Sequence, residues 1–239
     1  MPTLLLRLSA PLQSWGAHSR FVTRATEQAP TKSGVFGLLA AARGLRRTEP
    51  ITELLGLRFG TRVDQPGKLV RDFQVERSRN GLTSMPLSYR YYLGDAIFLA
   101  AVESEDRELL SGLQDALRSP YFPLYLGRRS CPTAGPIWTA LREESLVEAL
   151  REEPWQASSV HQDGVRSPRV ALRMLVDAEE GEPGELIRDE PVSFDPERRE
   201  YLWRTVSESF VEVENSRYRA PERGEASDHD PMSLLFEEI

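Results

Sequence analysis

Read along the chain, periodicity changes from strand to helix, to two strands, to a second helix, and then to a strand-like loop. That order, β-α-β-β-α-β, predicts an α+β fold with a ferredoxin-like sheet. Two good amphipathic helices and an apolar first strand carry the reading, and a smaller β-rich part follows. The expected division is 1–140 for the first unit, 141–214 for the second, and 215–239 for a mobile acidic tail.

Thr3 to Leu8 alternates Leu4, Leu6 and Leu8 against Leu5 and Arg7, a strand with two distinct faces. A turn-rich stretch from Ser9 to Gly16 leaves it. The first helix is expected from about Ser33 to Leu45, with Val35, Leu38, Leu39 and Ala42 on one face and Thr31 or Ser33 as cap. Ile51 to Leu57 reads as a short second helix. Strands are expected at 58–63 and 69–75, split by Asp64-Gln65-Pro66-Gly67, then at 89–92 and 96–102. The next helix, about 105–118, buries Leu109, Leu110, Leu113, Ala116 and Leu117, with Ser104 placed to cap it. Residues 121–136 are rich in Gly and Pro and read as a structured loop. A helical turn or two at 146–151 and strands at 170–176 and 209–213 complete the series.

Charge divides the chain. The 239 residues carry a net charge of -7, yet residues 1–139 hold 18 Lys and Arg against 12 Asp and Glu. The remaining residues reverse the sign, with 12 basic against 25 acidic. Of the 30 basic residues only Lys32 and Lys68 are lysines. A basic, arginine-rich body suits phosphate contact, because guanidinium presents a planar bidentate donor pair. A codon bias toward Arg explains the same composition without any partner. Cys131 has no second cysteine to pair with, and His18, His161 and His229 are scattered without ligand spacing. No apolar run is long enough to span a membrane. A cytoplasmic protein without metal or cofactor, and without a membrane partner, is expected.

Three places hold chemistry. Pro30-Thr31-Lys32-Ser33-Gly34 puts free N–H groups and an ammonium at a helix start, either an anion site or an ordinary cap. Gly127, Arg128 and Arg129 sit in the Gly/Pro loop, where they either grip a phosphate or form a solvated turn. Trp15 either stacks on a base or plugs the core.

The blocks Leu4–Leu8 with Pro11-Leu12-Gln13-Ser14-Trp15-Gly16, then Pro30 to Leu39, then Arg71-Asp72-Phe73, then Tyr121 to Pro132, occur in one order. Together they resemble the CasD family, the fifth-family RAMP subunit of the type I-E CRISPR surveillance complex, Cascade. The resemblance spans about residues 3–140 and implies a RAMP-type (RRM-like) palm with an inserted β-hairpin thumb at about 73–92. It further implies a non-catalytic subunit in antiviral defence that caps the 5′ handle of the CRISPR RNA. Its partners would be that RNA, the large subunit and the terminal backbone subunit, with target DNA reached through the complex. The candidate RNA-binding residues are Gln13, Trp15, Lys32, Ser33, Gly34, Arg71, Arg77, Arg79, Arg90, Gly127, Arg128 and Arg129. The competing function is a metal-independent endoribonuclease. It would need an acid/base pair, for which His18 and Lys32 are the candidates in the basic part.

Overall fold

A computed structural model describes residues 1–16 and 23–219. In chain order the elements are β1 (Thr3–Ser9), β2 (Leu12–Gln13), β3 (Thr23–Arg24), α1 (Lys32–Arg43), α2 (Thr52–Leu55), β4 (Arg58–Gln65), β5 (Lys68–Gln74), β6 (Ser88–Gly94), β7 (Ile97–Glu103) and α3 (Arg107–Arg118). They continue with β8 (Trp138–Arg142), α4 (Leu146–Glu152), α5 (Ser159–Gly164), β9 (Arg169–Asp177), β10 (Glu185–Ser193) and β11 (Glu200–Glu214).

The main sheet runs β10-β11-β9-β4-β7-β1-β8, and every neighbouring pair is antiparallel. Its β4-β7-β1-β8 section, with α1 and α3 as crossovers, is the ferredoxin-like arrangement the sequence predicts. One face of β1 and β7, with Leu4, Leu6, Leu8, Phe98, Ala100 and Val102, packs under α1 and α3. The other face, with Leu5, Leu99 and Ala101, is covered by Leu146, Ala149 and Leu150 of α4. Burial on both sides explains why Leu4, Leu5 and Leu6 follow one another in β1.

The C-terminal strands build outward from this unit and form no sheet of their own: β9 pairs with β4 at Gly60–Arg62. The sequence reading placed strand only at 209–213, whereas β11 spans fifteen residues. It also passed over β8, β10 and α5. β10 is an edge strand whose pairing with β11 shifts around Ile187/Glu190 and Pro191/Ser193, so its polar, Pro-containing sequence hides the period-2 signal. The α3 cap is Asp106, which accepts from the Leu109 N–H at 2.9 Å, and not Ser104.

A second, four-stranded sheet is built around β6, which pairs with β5, β2 and β3. β5 and β6 form a hairpin whose arms run in register from Lys68↔Gly94 to Gln74↔Ser88, so the expected insertion 73–92 lies within a longer ribbon. Its tip turns through Asn80-Gly81, with Gly81 at φ 72°. The Asn80 carboxamide oxygen accepts from the Leu82 N–H and the Ser78 hydroxyl.

The segment expected to be a mobile tail begins pinned. Asn215 is buried, and its side-chain amide donates to the carbonyls of Gln162, Val165 and Ser167 at 3.0–3.3 Å. Arg217 pairs with Asp163 at 2.8 Å. Residues 220–239 lie outside the described residues. No described helix is long and apolar enough to cross a membrane.

Candidate nucleic-acid interface

A groove of about 720 Å³ runs between α1, the loop 121–132 and the β10–β11 connection. Its α1 wall is made of Gly34, Gly37, Leu38 and Ala41, small side chains at i, i+3 and i+7 that leave the helix surface open. Opposite stand Phe122, Pro123 and Tyr125, while Phe194, Arg199 and Tyr201 close the third side. The loop is fixed to the end of α1: the Tyr121 and Phe122 N–H groups donate to the carbonyls of Ala42 and Ala41 at 3.0 and 3.3 Å. Those carbonyls belong to the last turn, which has no partners within the helix.

Charge is what distinguishes the groove. Arg24, Arg46, Arg47, Arg128, Arg129 and Arg199 line it, and no Asp or Glu does. Among the described residues only Arg128 of the six has its guanidinium engaged. It donates to the carbonyls of Tyr91, Arg24 and Ala25 at 3.0–3.2 Å and lies over the Tyr92 ring at 5.0 Å. Arg128 therefore clamps β3 to β6 and shapes the groove wall; Arg129 beside it is exposed.

The residues singled out from sequence divide into those at the groove and those away from it. Ser33, Gly34, Gly127, Arg128 and Arg129 line one groove, as does an edge of Trp15. Lys32 does not. Its ammonium is buried against Asp177 at 3.0 Å and Glu190 at 2.6 Å, and its backbone N–H donates to Asp189 at 2.8 Å. Arg204 completes the cluster with Asp177 and Asp189, each at 2.6 Å. Both readings of the helix start hold in part: Thr31 caps it by accepting from the Gly34 N–H at 3.3 Å, and the anion held there is the protein's own carboxylate. Burial pushes the Glu190 carboxyl above its usual range, against the pull of Lys32. Burial alone would lower Arg204, but Asp189 and Asp177 hold its guanidinium above its ordinary value.

Trp15 plugs the core. It is fully buried, and its indole N–H donates to the Gln13 side chain at 3.1 Å. Gln13 is equally buried and donates to the Leu8 and Ala96 carbonyls at 3.3 and 2.7 Å, so neither is free to read RNA. Gly34 is required because a Cβ would come within 2.8 Å of the Trp15 ring. Gly127, at φ 92°, is required because a Cβ would overlap the Ser14 carbonyl oxygen. The missing side chain lets the two loop backbones cross. Arg71, Arg77 and Arg79 lie on the hairpin, away from the groove, with Arg71 stacked over Tyr89 at 5.3 Å. Arg90 sits at the hairpin base on β6. His18 lies outside the described residues.

Sequence reasoning missed Arg24, Arg46, Arg47 and Arg199. Arg46-Arg47 directly after the Gly44 helix stop was a visible signal; Arg24 and Arg199 come together with it only through the fold.

A family model for CRISPR-associated protein (Cas_Cas5) matches residues 3–207. The chain belongs to the Cas5 family. Its match therefore extends into the C-terminal strands and ends within β11, beyond the 3–140 that carry the motif blocks. This Cas5 chain is 33% identical over 172 residues to the CRISPR system Cascade subunit CasD of Escherichia coli (strain K12), covering 63% of the chain and 77% of that relative. Among solved structures, a Cas protein crystal structure is 39% identical with TM-score 0.68, over 91% of this chain and 98% of that one. A chain of a CRISPR RNA-guided surveillance complex is 30% identical with TM-score 0.72, over 92% and 95%. These matches agree with a ferredoxin-like RAMP fold.

Proposed function

We propose that this Cas5 chain is a non-catalytic subunit of a type I-E Cascade complex, where it holds and caps the 5′ handle of the CRISPR RNA. The observation that carries the reading is the groove: six arginines and no carboxylate along one walled channel. Uncompensated guanidinium charge attracts a polyanion, and aromatic walls at Phe122, Tyr125 and Tyr201 suit unstacked bases. Cleavage finds less support, because Lys32 is held by Asp177 and Glu190 and is removed from the groove.

The hairpin serves assembly in this reading. Leu82 is 84% and Met85 57% exposed at its tip, and Phe73 66% on its arm. A two-stranded ribbon has no core to bury such side chains and gains order when a partner covers them. The adjacent backbone subunit is that partner, the large subunit contacts the same end of the complex, and target DNA is engaged through them, in the cytoplasm.

The test is co-expression with the neighbouring subunits, followed by sequencing of the bound RNA. A species with a constant 5′ end is expected, and repeat RNA incubated with the chain without metal stays intact. Replacing residues 76–88 by a short Gly/Ser linker should leave a folded chain that assembles poorly. Random RNA ends, specific cleavage, or normal assembly of the linker variant would each overturn the corresponding part.

A further inference from the structure

The groove does not end at the loop 121–132. Arg24 of β3 lines it, and β3 pairs in parallel with β6 so that Arg24 stands in register with Arg90. In-register neighbours on adjacent strands point to the same face about 4.8 Å apart, and like charges so placed repel. Two exposed carboxylates, Asp72 and Glu76, offset them only in part. Asp72 stands across β5 from Arg90, yet its carboxylate accepts from the Phe73 N–H at 2.8 Å and the Gln74 amide at 3.5 Å. Among the described residues, the ion pair of Arg90 is with exposed Glu76 at 3.5 Å. The Arg90 Nε is buried and hydrogen-bonds to nothing in the described residues. Arg128 braces the seam by donating to carbonyls on both strands, Arg24 on β3 and Tyr91 on β6.

We infer that Arg24 and Arg90 form a phosphate subsite, with one RNA phosphate bridging the two guanidiniums where the strand passes from the groove to the base of the hairpin. This rests on the RNA-binding reading above and assigns a specific phosphate contact within it. A bridging phosphate relieves the repulsion and supplies acceptors to both guanidiniums.

The test is a double-mutant cycle on the full chain, using an eight-nucleotide single-stranded oligouridylate at low salt. Arg24→Gln and Arg90→Gln should each weaken binding about tenfold, and the double variant should be little weaker than either single. Without RNA, the melting temperature of Arg90→Gln should equal or exceed the wild type, since a repulsion is removed. Additive losses would mean two separate phosphates, and a lowered melting temperature would mean a structural Arg90; either overturns the subsite. Unchanged RNA affinity with failed subunit assembly would assign the pair to a partner protein's carboxylate, which also overturns it. Arg46→Gln with Arg199→Gln is the control. If the control loses binding and the Arg24 and Arg90 variants do not, the subsite fails while the RNA-binding reading stands. If no variant loses binding, or the wild type does not bind, both fail.

Discussion

Neutralising two of the groove arginines should change how RNA binding responds to salt. Five of the six lining arginines, Arg24, Arg46, Arg47, Arg129 and Arg199, have no side-chain partner among the described residues. If each neutralises one phosphate of a single strand, the slope of log K against log salt is about -3.5, at roughly -0.7 per contact. Between 50 and 200 mM salt that is about a hundredfold loss of affinity. Arg46→Gln with Arg199→Gln removes two contacts and should lower the slope to about -2.1, or roughly a twentyfold loss over the same range. Both side chains are exposed and unpaired, so the melting temperature should stay within about a degree or two. Fluorescence anisotropy of a labelled handle RNA across a salt series, with parallel melts, measures both. An unchanged slope in a folded variant would refute the assignment of the groove.

Three further outcomes follow from single contacts. Gly127→Ala must carry a side chain at positive φ into the Ser14 carbonyl, and should cost at least about 2 kcal/mol in denaturant unfolding; a neutral result would mean the two loops separate freely. Lys32→Met leaves Glu190 without its cation and Asp177 with Arg204 alone, and should destabilise by about 3 kcal/mol, with loss of RNA affinity only to the extent that the fold loosens. Affinity falling while the melting temperature holds would instead put Lys32 at the RNA. Glu190 has a raised carboxyl pKa, so the folded state binds its proton more tightly than the unfolded chain, and stability falls as pH rises from the ordinary carboxylate range through the raised value. Glu190→Gln should therefore fare better relative to wild type at pH 7 than at pH 4.5 in thermal melts. The opposite trend would mean that pairing with Lys32 outweighs burial.

The ferredoxin-like core was legible because its signals are local. The Leu alternation of β1, the apolar face of α1, and the spacing of Leu110, Leu113 and Leu117 in α3 each follow from neighbours within one element. The C-terminal strands were not legible, because their partners are remote and their faces mixed. Phe210 lies exposed on β11 while Val206 and Val213 are buried, which no single period reproduces. The candidate site divides along the same line. Helix start and Gly/Pro loop do meet at one groove, yet whether Lys32 faces solvent or a carboxylate depends on Asp177 and Glu190, 145 and 158 positions away in sequence. Gln13 and Trp15 carry motif identity through packing: one hydrogen bond joins them, and Gly34 makes room for the ring.

That division gives the acidic C-terminal half a specific physical task. Its carboxylates Asp177, Asp189 and Glu190 reach under the start of α1 and neutralise Lys32 and Arg204, which tethers the β10–β11 wall to the helix. The same connection then presents Arg199 and Tyr201 to the groove. Those three carboxylates serve docking, while the groove lining carries positive charge alone. A net charge of -7 for the whole chain is therefore compatible with a polyanion site, since field strength in a walled groove follows the nearest charges and those beyond a Debye length of about 10 Å are screened.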